Sequence, residues 1–126
     1  MELKGLTVNF LGDSITEGYG TTGADKVFHQ IIKDKCNLQY ANNYGVCGTR
    51  IARQIVPTRG QTRNDLTFEL RSELMERNAE LVVVFGGTND FGHGDAPFGT
   101  LNGEDIYTFC GAVNSLINKL VKDFPN

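Results

Sequence analysis

The chain has 126 residues and a mass of 13.9 kDa, one domain's worth, and at that size about two-thirds of the unfolded surface is buried, enough for a single core. With 40% hydrophobic, 10% aromatic and 21% charged residues it is neither a disordered tail nor a fibrous repeat, and no apolar run nears the roughly 18 residues of a membrane span. A net charge of −3 and a pI near 5.3 leave no electrostatic footprint for nucleic acid.

Met1-Glu2-Leu3-Lys4 carries none of the features of a secretory signal, so a cytoplasmic location is expected. Cys36, Cys47 and Cys110 are odd in number and lack C-x-x-C spacing, which fits reduced thiols better than disulfides or a zinc site. Thr7-Val8-Asn9-Phe10-Leu11 is a β-rich run closed by Gly12, the first predicted strand. Residues 24–36 place Val27, Phe28, Ile31 and Ile32 at helical spacing, with Asp25 in the first turn and Lys33 and Lys35 in the last. A second strand is predicted over 38–44, although Asn42 and Asn43 weaken it. Asn64 or Asp65 then caps a helix running to Arg77, with Leu66, Leu70 and Leu74 on one face. Leu81-Val82-Val83-Val84-Phe85 reads as a central parallel strand covered on both faces. The last helix, 104–122, follows Asn102 as its cap and carries Val113, Leu116, Ile117, Leu120, Val121 and Phe124 as its stripe. The alternation predicts one domain over 1–126, an α/β sandwich with right-handed crossovers and a mostly parallel sheet, without repeats or linkers.

In such sheets the working residues lie beyond the carboxyl ends of the strands. All three predicted strands end in Gly-rich polar clusters: Gly12-Asp13-Ser14-Ile15-Thr16, Tyr44-Gly45-Val46-Cys47-Gly48-Thr49 and Gly86-Gly87-Thr88-Asn89-Asp90. Ser14 at a strand-to-helix turn is placed as a nucleophile, though Asp-Ser after a strand is also an ordinary helix cap. Gly48 would let a backbone N–H approach an oxyanion, or is a plain turn glycine. The Asn89 amide would donate to developing negative charge, or forms an Asx-turn. Each cluster alone is ambiguous; their recurrence at successive strand ends favours catalysis.

Gly12-Asp13-Ser14-Ile15-Thr16, the Gly48 cluster and Gly87-Thr88-Asn89-Asp90 together resemble the first three blocks of the SGNH (GDSL-like) hydrolases, over roughly residues 5 to 125. The resemblance implies a flavodoxin-like three-layer α/β/α fold and hydrolysis of esters, thioesters or acyl groups on lipids or sugars. It makes Ser14 the nucleophile and gives the oxyanion hole to the N–H of Ser14, the N–H of Gly48 and the Asn89 amide. Asp13 and His93 are assigned to the substrate pocket. The chemistry calls for a small-molecule ester substrate and no cofactor or metal.

The family's fourth block, Asp-x-x-His, is absent from this sequence. Of the only two histidines, His29 is expected to pack in the first helix. His93, between Gly92 and Gly94 in a predicted loop, suits the pocket better than the role of base. Three strands make a thin sheet, so the domain is expected to be incomplete at its C-terminus and weak or inactive without a base for Ser14. The unpaired edge of Leu81–Phe85 would then invite self-association, giving a homo-oligomer through that edge. Arg50, Arg53, Arg59 and Arg63 are expected to form a solvated face, and Asp90 and Asp95 lack the clustering of a metal site. Phe91, Pro97 and Phe98 would shape an acyl or sugar pocket or cover the sheet edge. The alternative is a flavodoxin-like non-catalytic binding module, against which no Gly-x-Gly-x-x-Gly or P-loop follows any strand.

Overall fold

Every residue of strand β1, Thr7–Gly12, is buried, because a neighbour pairs with it on each side. The computed structural model, which describes residues 2–55, 66–93 and 96–125, aligns β1 in parallel with β2, Tyr40–Gly45, and with β3, Leu81–Phe85, in the order β2-β1-β3. Gly12 lies opposite both Gly45 and Phe85, so the three strands end at one level. That register brings the three Gly-rich clusters to a common edge of the sheet.

The strand expected at the centre is therefore at the edge. The apolar run of β3 is only half covered, with Val84 39% and Phe85 47% exposed, and the less apolar β1 takes the middle. Buried polar pairing makes this possible: the Asn42 amide donates to Asn9 Oδ1 at 3.0 Å, and the Asn9 amide donates to the Glu76 carbonyl at 2.9 Å. Satisfied in this way, a strand asparagine avoids the cost of an unpaired polar group, and β2 forms despite Asn42 and Asn43.

Helices cover both faces: α1 Ser14–Glu17, α2 Phe28–Cys36, α3 Phe68–Arg71, α4 Thr88–His93 and α5 Phe109–Asp123. Strand alternation divides the core. Val8 and Phe10 pack with Leu38, Phe28 and Ile32 on the α2 side, while Leu11 packs with Phe68, Met75, Ala112 and Leu116 on the side of α3 and α5. Phe10 meets Phe28 edge-on at 5.8 Å, and Phe28 meets Phe85 likewise at 5.7 Å. The result is the expected three-layer α/β/α sandwich with a parallel sheet. No helix among the described residues is long and apolar enough to cross a membrane.

Helix boundaries depart from the periodicity. The predicted 24–36 helix is broken at Val27, which is extended (ψ 138°) and divides a 3₁₀ turn, Ala24–Lys26, from α2. Where a Leu66/Leu70/Leu74 face was expected, α3 is one turn long and runs into a 3₁₀ turn, Ser72–Leu74. The inward positions are Phe68, Arg71, Ser72 and Met75, and Leu74 is 73% exposed; the proposed caps Asn64 and Asp65 lie outside the described residues. The last helix begins at Phe109 under a Thr108 cap, not after Asn102. Asp105 holds the preceding segment in turns, its carboxylate accepting from Tyr107 N and its carbonyl from Thr108 N and Oγ1. Of the predicted stripe, Leu116 is buried and Ile117 and Val121 are exposed. Residues 88–93 form α4 where a loop was expected.

Candidate active site

Ser14 opens α1, directly after the end of β1. Asp13 is the N-cap, its Oδ1 accepting from Ile15 N at 3.0 Å, and its side chain is 1% exposed. The carboxylate, expected in the substrate pocket, instead lies buried beneath the turn and fixes the entry into α1. Gly45 lets α1 rest on the end of β2: a Cβ there would stand 2.1 Å from Glu17 N and 2.5 Å from the Thr16 carbonyl carbon. Glu17 returns the contact, accepting from Cys47 N at 2.7 Å through its carboxylate. The serine-bearing turn and the loop after β2 are one packed unit.

Gly48 lies in the turn 46–49 with φ of 75°, a left-handed conformation that favours glycine. Thr49 closes that turn through its N–H and its hydroxyl, both donating to the Val46 carbonyl. Among the described residues nothing accepts the N–H of Ser14 or that of Gly48. Asn89, in the first turn of α4, donates one amide hydrogen to the Thr49 carbonyl at 2.8 Å. Among the described residues nothing accepts its other amide hydrogen. Asp90 beside it is buried, its carboxylate accepting from Ile51 N at 3.1 Å and Ala52 N at 2.9 Å. Burial raises its pKa above the ordinary carboxylate value, opposed by hydrogen bonds from the N–H groups of Ala52 and Ile51 and its own, and by the charge of Arg50. Adjacent residues of α4 thereby hold the Gly48 loop at two points, and the expected trio of Ser14, Gly48 and Asn89 comes from three strand ends joined by direct hydrogen bonds.

Arg71 was missed in the sequence. Its guanidinium is buried beneath the clusters, donating to the Gly12 carbonyl and Thr49 Oγ1 at 2.9 Å each, to the Leu66 carbonyl at 2.8 Å, and to the Tyr44 carbonyl. It also stacks 4.9 Å from the Phe68 ring centre. The only sequence signal was an arginine in phase with Phe68, which periodicity assigns to the surface when apolar residues alone are counted. Arg50 is likewise a correction: it is buried, not part of a solvated face. Arg53 is half-buried, and Arg59 and Arg63 lie outside the described residues.

Neither histidine is arranged as a base. His29 is buried among rings, 5.6 Å from Phe10 and 5.7 Å from Phe28, and burial lowers its pKa, the Thr16 backbone acting in the opposite sense. His93 ends α4 and is exposed. Beyond α4 a cavity of about 430 Å³ is lined by Gly87, Asp90, Phe91, Ala96, Phe98 and Phe109, the segment where an apolar pocket was anticipated. Among the described residues no group of His, Cys, Asp and Glu is gathered as a metal site. Asp95 lies outside them. The three cysteine thiols are unpaired, Cys47 exposed and Cys110 buried.

The sequence model of the GDSL-like lipase/acylhydrolase family matches residues 10–125. The chain belongs to that family. Curated protein sequences give no match. Among solved structures, a Lactobacillus plantarum protein is 28% identical with a TM-score of 0.76, over 98% of this chain and 53% of its own. A protein described as a GDSL-like lipase from Bacteroides ovatus is 24% identical with the same TM-score, over 98% and 70%. A family two carbohydrate esterase from Clostridium thermocellum, solved with cellohexaose, is 22% identical with a TM-score of 0.64, over 97% and 41%. The chain spans about half the length of the Lactobacillus plantarum relative. The likeness to these structures is one of fold.

Proposed function

We propose that this chain carries the nucleophile and oxyanion hole of a GDSL-type serine esterase acting on carboxylic esters of an acyl, lipid or acetylated-sugar substrate. Ser14 Oγ attacks the ester carbonyl and passes its proton to a base, a role neither His29 nor His93 is arranged to fill, and that base returns the proton to the departing alkoxide. The oxyanion of the tetrahedral intermediate accepts from the N–H of Ser14, the N–H of Gly48 and the Asn89 amide, the alcohol leaves, and water hydrolyses the acyl-serine. One such donor is worth about 3–4 kcal/mol of transition-state stabilisation in other enzymes. The observation that carries this reading is that the three strands end at one level and that, among the described residues, the N–H groups of Ser14 and Gly48 have no acceptor while the Thr49 carbonyl holds the Asn89 amide. Asp13 orients the serine turn from below. His93 and the apolar cavity beyond Asn89 form the substrate rim. The likeness to a carbohydrate esterase supports a sugar ester among the candidate substrates.

Without a base, Ser14 is a weak nucleophile and this chain alone is expected to be slow or inert. Intact-mass detection of a fluorophosphonate adduct tests the reading, comparing the chain with Ser14→Ala. An adduct that disappears in the variant supports an activated Ser14, with His93 the next residue to replace. Labelling that persists in the variant, or silence in both this chain and a longer form supplying an Asp-x-x-His segment, overturns the hydrolase reading in favour of a binding module.

A further inference from the structure

Three donors from three strand ends stabilise one oxygen only if they hold a fixed mutual geometry, within about half an ångström. Backbone register sets the strands, but it ends at Gly12, Gly45 and Phe85, before any donor is reached. Something must join the segments beyond it. Among the described residues, the Arg71 guanidinium ties the ends of β1 and β2 to the Gly48 segment that follows them. Its Nη2 donates to the Gly12 carbonyl, two residues before Ser14, and to Thr49 Oγ1, one residue after Gly48. Its Nη1 reaches the Tyr44 carbonyl at the end of β2. The same Thr49 presents the carbonyl that orients the Asn89 amide. Each of the three donors is therefore within two residues of an Arg71 contact or one hydrogen bond removed from it.

The planar guanidinium is suited to this task in a way an ammonium is not, because its donors diverge in a fixed fork toward several acceptors at once. Stacking on Phe68 and the bond from Nε to the Leu66 carbonyl leave the plane little freedom to turn. We infer that Arg71 is the positioning residue of the oxyanion hole, its guanidinium setting the Ser14, Gly48 and Asn89 donors in register through the Gly12, Tyr44 and Thr49 contacts. It touches no substrate and acts through the groups it holds. The assignment rests on the reading of Ser14, Gly48 and Asn89 as donors, but its test is independent of turnover.

The test is heteronuclear NMR of the labelled chain, following the Ser14 and Gly48 backbone amides and the Asn89 side-chain amide. Arg71→Lys keeps the charge and removes the fork. With its melt still cooperative, this variant should shift or broaden all three signals while those of Leu38 and Leu116, in the two core faces, stay in place. Arg71→Ala should show the same loss, and millimolar methylguanidinium should return the three signals toward their wild-type positions. Thr49→Val removes both hydroxyl bonds, the one from Arg71 and the one to the Val46 carbonyl, and should move Gly48 and Asn89 while leaving Ser14 unchanged. A folded Arg71→Lys chain with the three signals in place would overturn the assignment. If that variant fails to fold, the Thr49→Val pattern decides: signals of Gly48 and Asn89 that do not move overturn it equally. Coupled signals without any Ser14 adduct would leave Arg71's positioning role standing and remove the hydrolase reading. An Arg71→Lys chain labelled at the wild-type rate with unmoved signals would do the reverse.

Discussion

Asp90→Asn is the sharpest probe of how the Gly48 loop is held. In the wild type, Oδ2 accepts from Ile51 N and Oδ1 from Ala52 N, in a buried setting. Asparagine keeps the shape and one acceptor, but turns an NH₂ toward one of those N–H groups. One buried donor is then unsatisfied, at a cost of about 1–3 kcal/mol. Part of that is offset because the variant no longer holds a charge away from water, leaving an expected loss of about 1–2 kcal/mol at pH 7 in urea unfolding followed by circular dichroism. The pH dependence has a definite sign. Burial raises the folded-state pKa of Asp90 above its ordinary 3.8, so the folded state binds this proton more readily than the unfolded chain does. The wild type therefore gains stability from this group as pH falls through the folded value toward about 4, and the non-titrating variant does not. The gap between the two should widen on acidification. A gap that closes instead would mean that the two N–H bonds and Arg50 outweigh burial, and the electrostatic account of the loop would be wrong.

Gly45→Ala should destabilise by about 3 kcal/mol or more, since the added Cβ meets backbone of α1 that no rotamer change relieves; a loss under about 0.5 kcal/mol in the same unfolding assay would refute the close approach of α1 to β2. His29, neutral and buried with a lowered pKa, contributes stability that is present above its unfolded value of 6.5 and lost as pH falls below it. Urea midpoints between pH 8 and 5 should fall less steeply in His29→Leu than in the wild type; parallel profiles would contradict this. The half-exposed edge of β3 should drive self-association, visible as a concentration-dependent mass in light scattering and suppressed by Val84→Lys. A monodisperse monomer at all concentrations would sink that expectation.

The layers and the Gly-rich strand ends were legible in the sequence because they depend on local signals. β3 was read at its observed bounds from one unbroken apolar run, and β1 from a β-rich run closed by Gly12. Ser14, Gly48 and Asn89 were singled out because strand-end clusters occur in order along the chain. What failed was anything decided by a distant partner. The strand order was misjudged because apolar content was equated with central position, whereas β1 is central by having β2 and β3 pair with it. The α3 face was misjudged because leucine periodicity outweighed Phe68 and Arg71, and a buried arginine has no local signature. Helix α4 was taken for a loop because Gly92 disfavours helix, while the Asn89 and Asp90 bonds to 49–52 that anchor it come from 38 to 40 residues away.

These misses share a physical cause. Ser14 and Asn89 stand at the starts of helices that follow β1 and β3 directly, so the sheet itself limits where they can be. Gly48 has no such support: the described chain after β2 runs from 46 to 55 without helix or strand. An irregular loop is held by specific hydrogen bonds or not at all, and here they come from polar side chains in the core. Arg71 grips it at Thr49 and Asp90 grips it at Ile51 and Ala52, with the buried Arg50 between. Burying such groups in a domain of this size is a poor way to gain stability, since desolvation offsets much of the attraction. Their use here is geometric. Apolar contacts would pack the loop but leave its backbone free to slide by a fraction of an ångström, and directional bonds from a fixed guanidinium and a fixed carboxylate remove that freedom. The least regular of the three proposed donors is thus the one tied by the most expensive interactions, and that is where substitutions should separate loss of function from loss of fold.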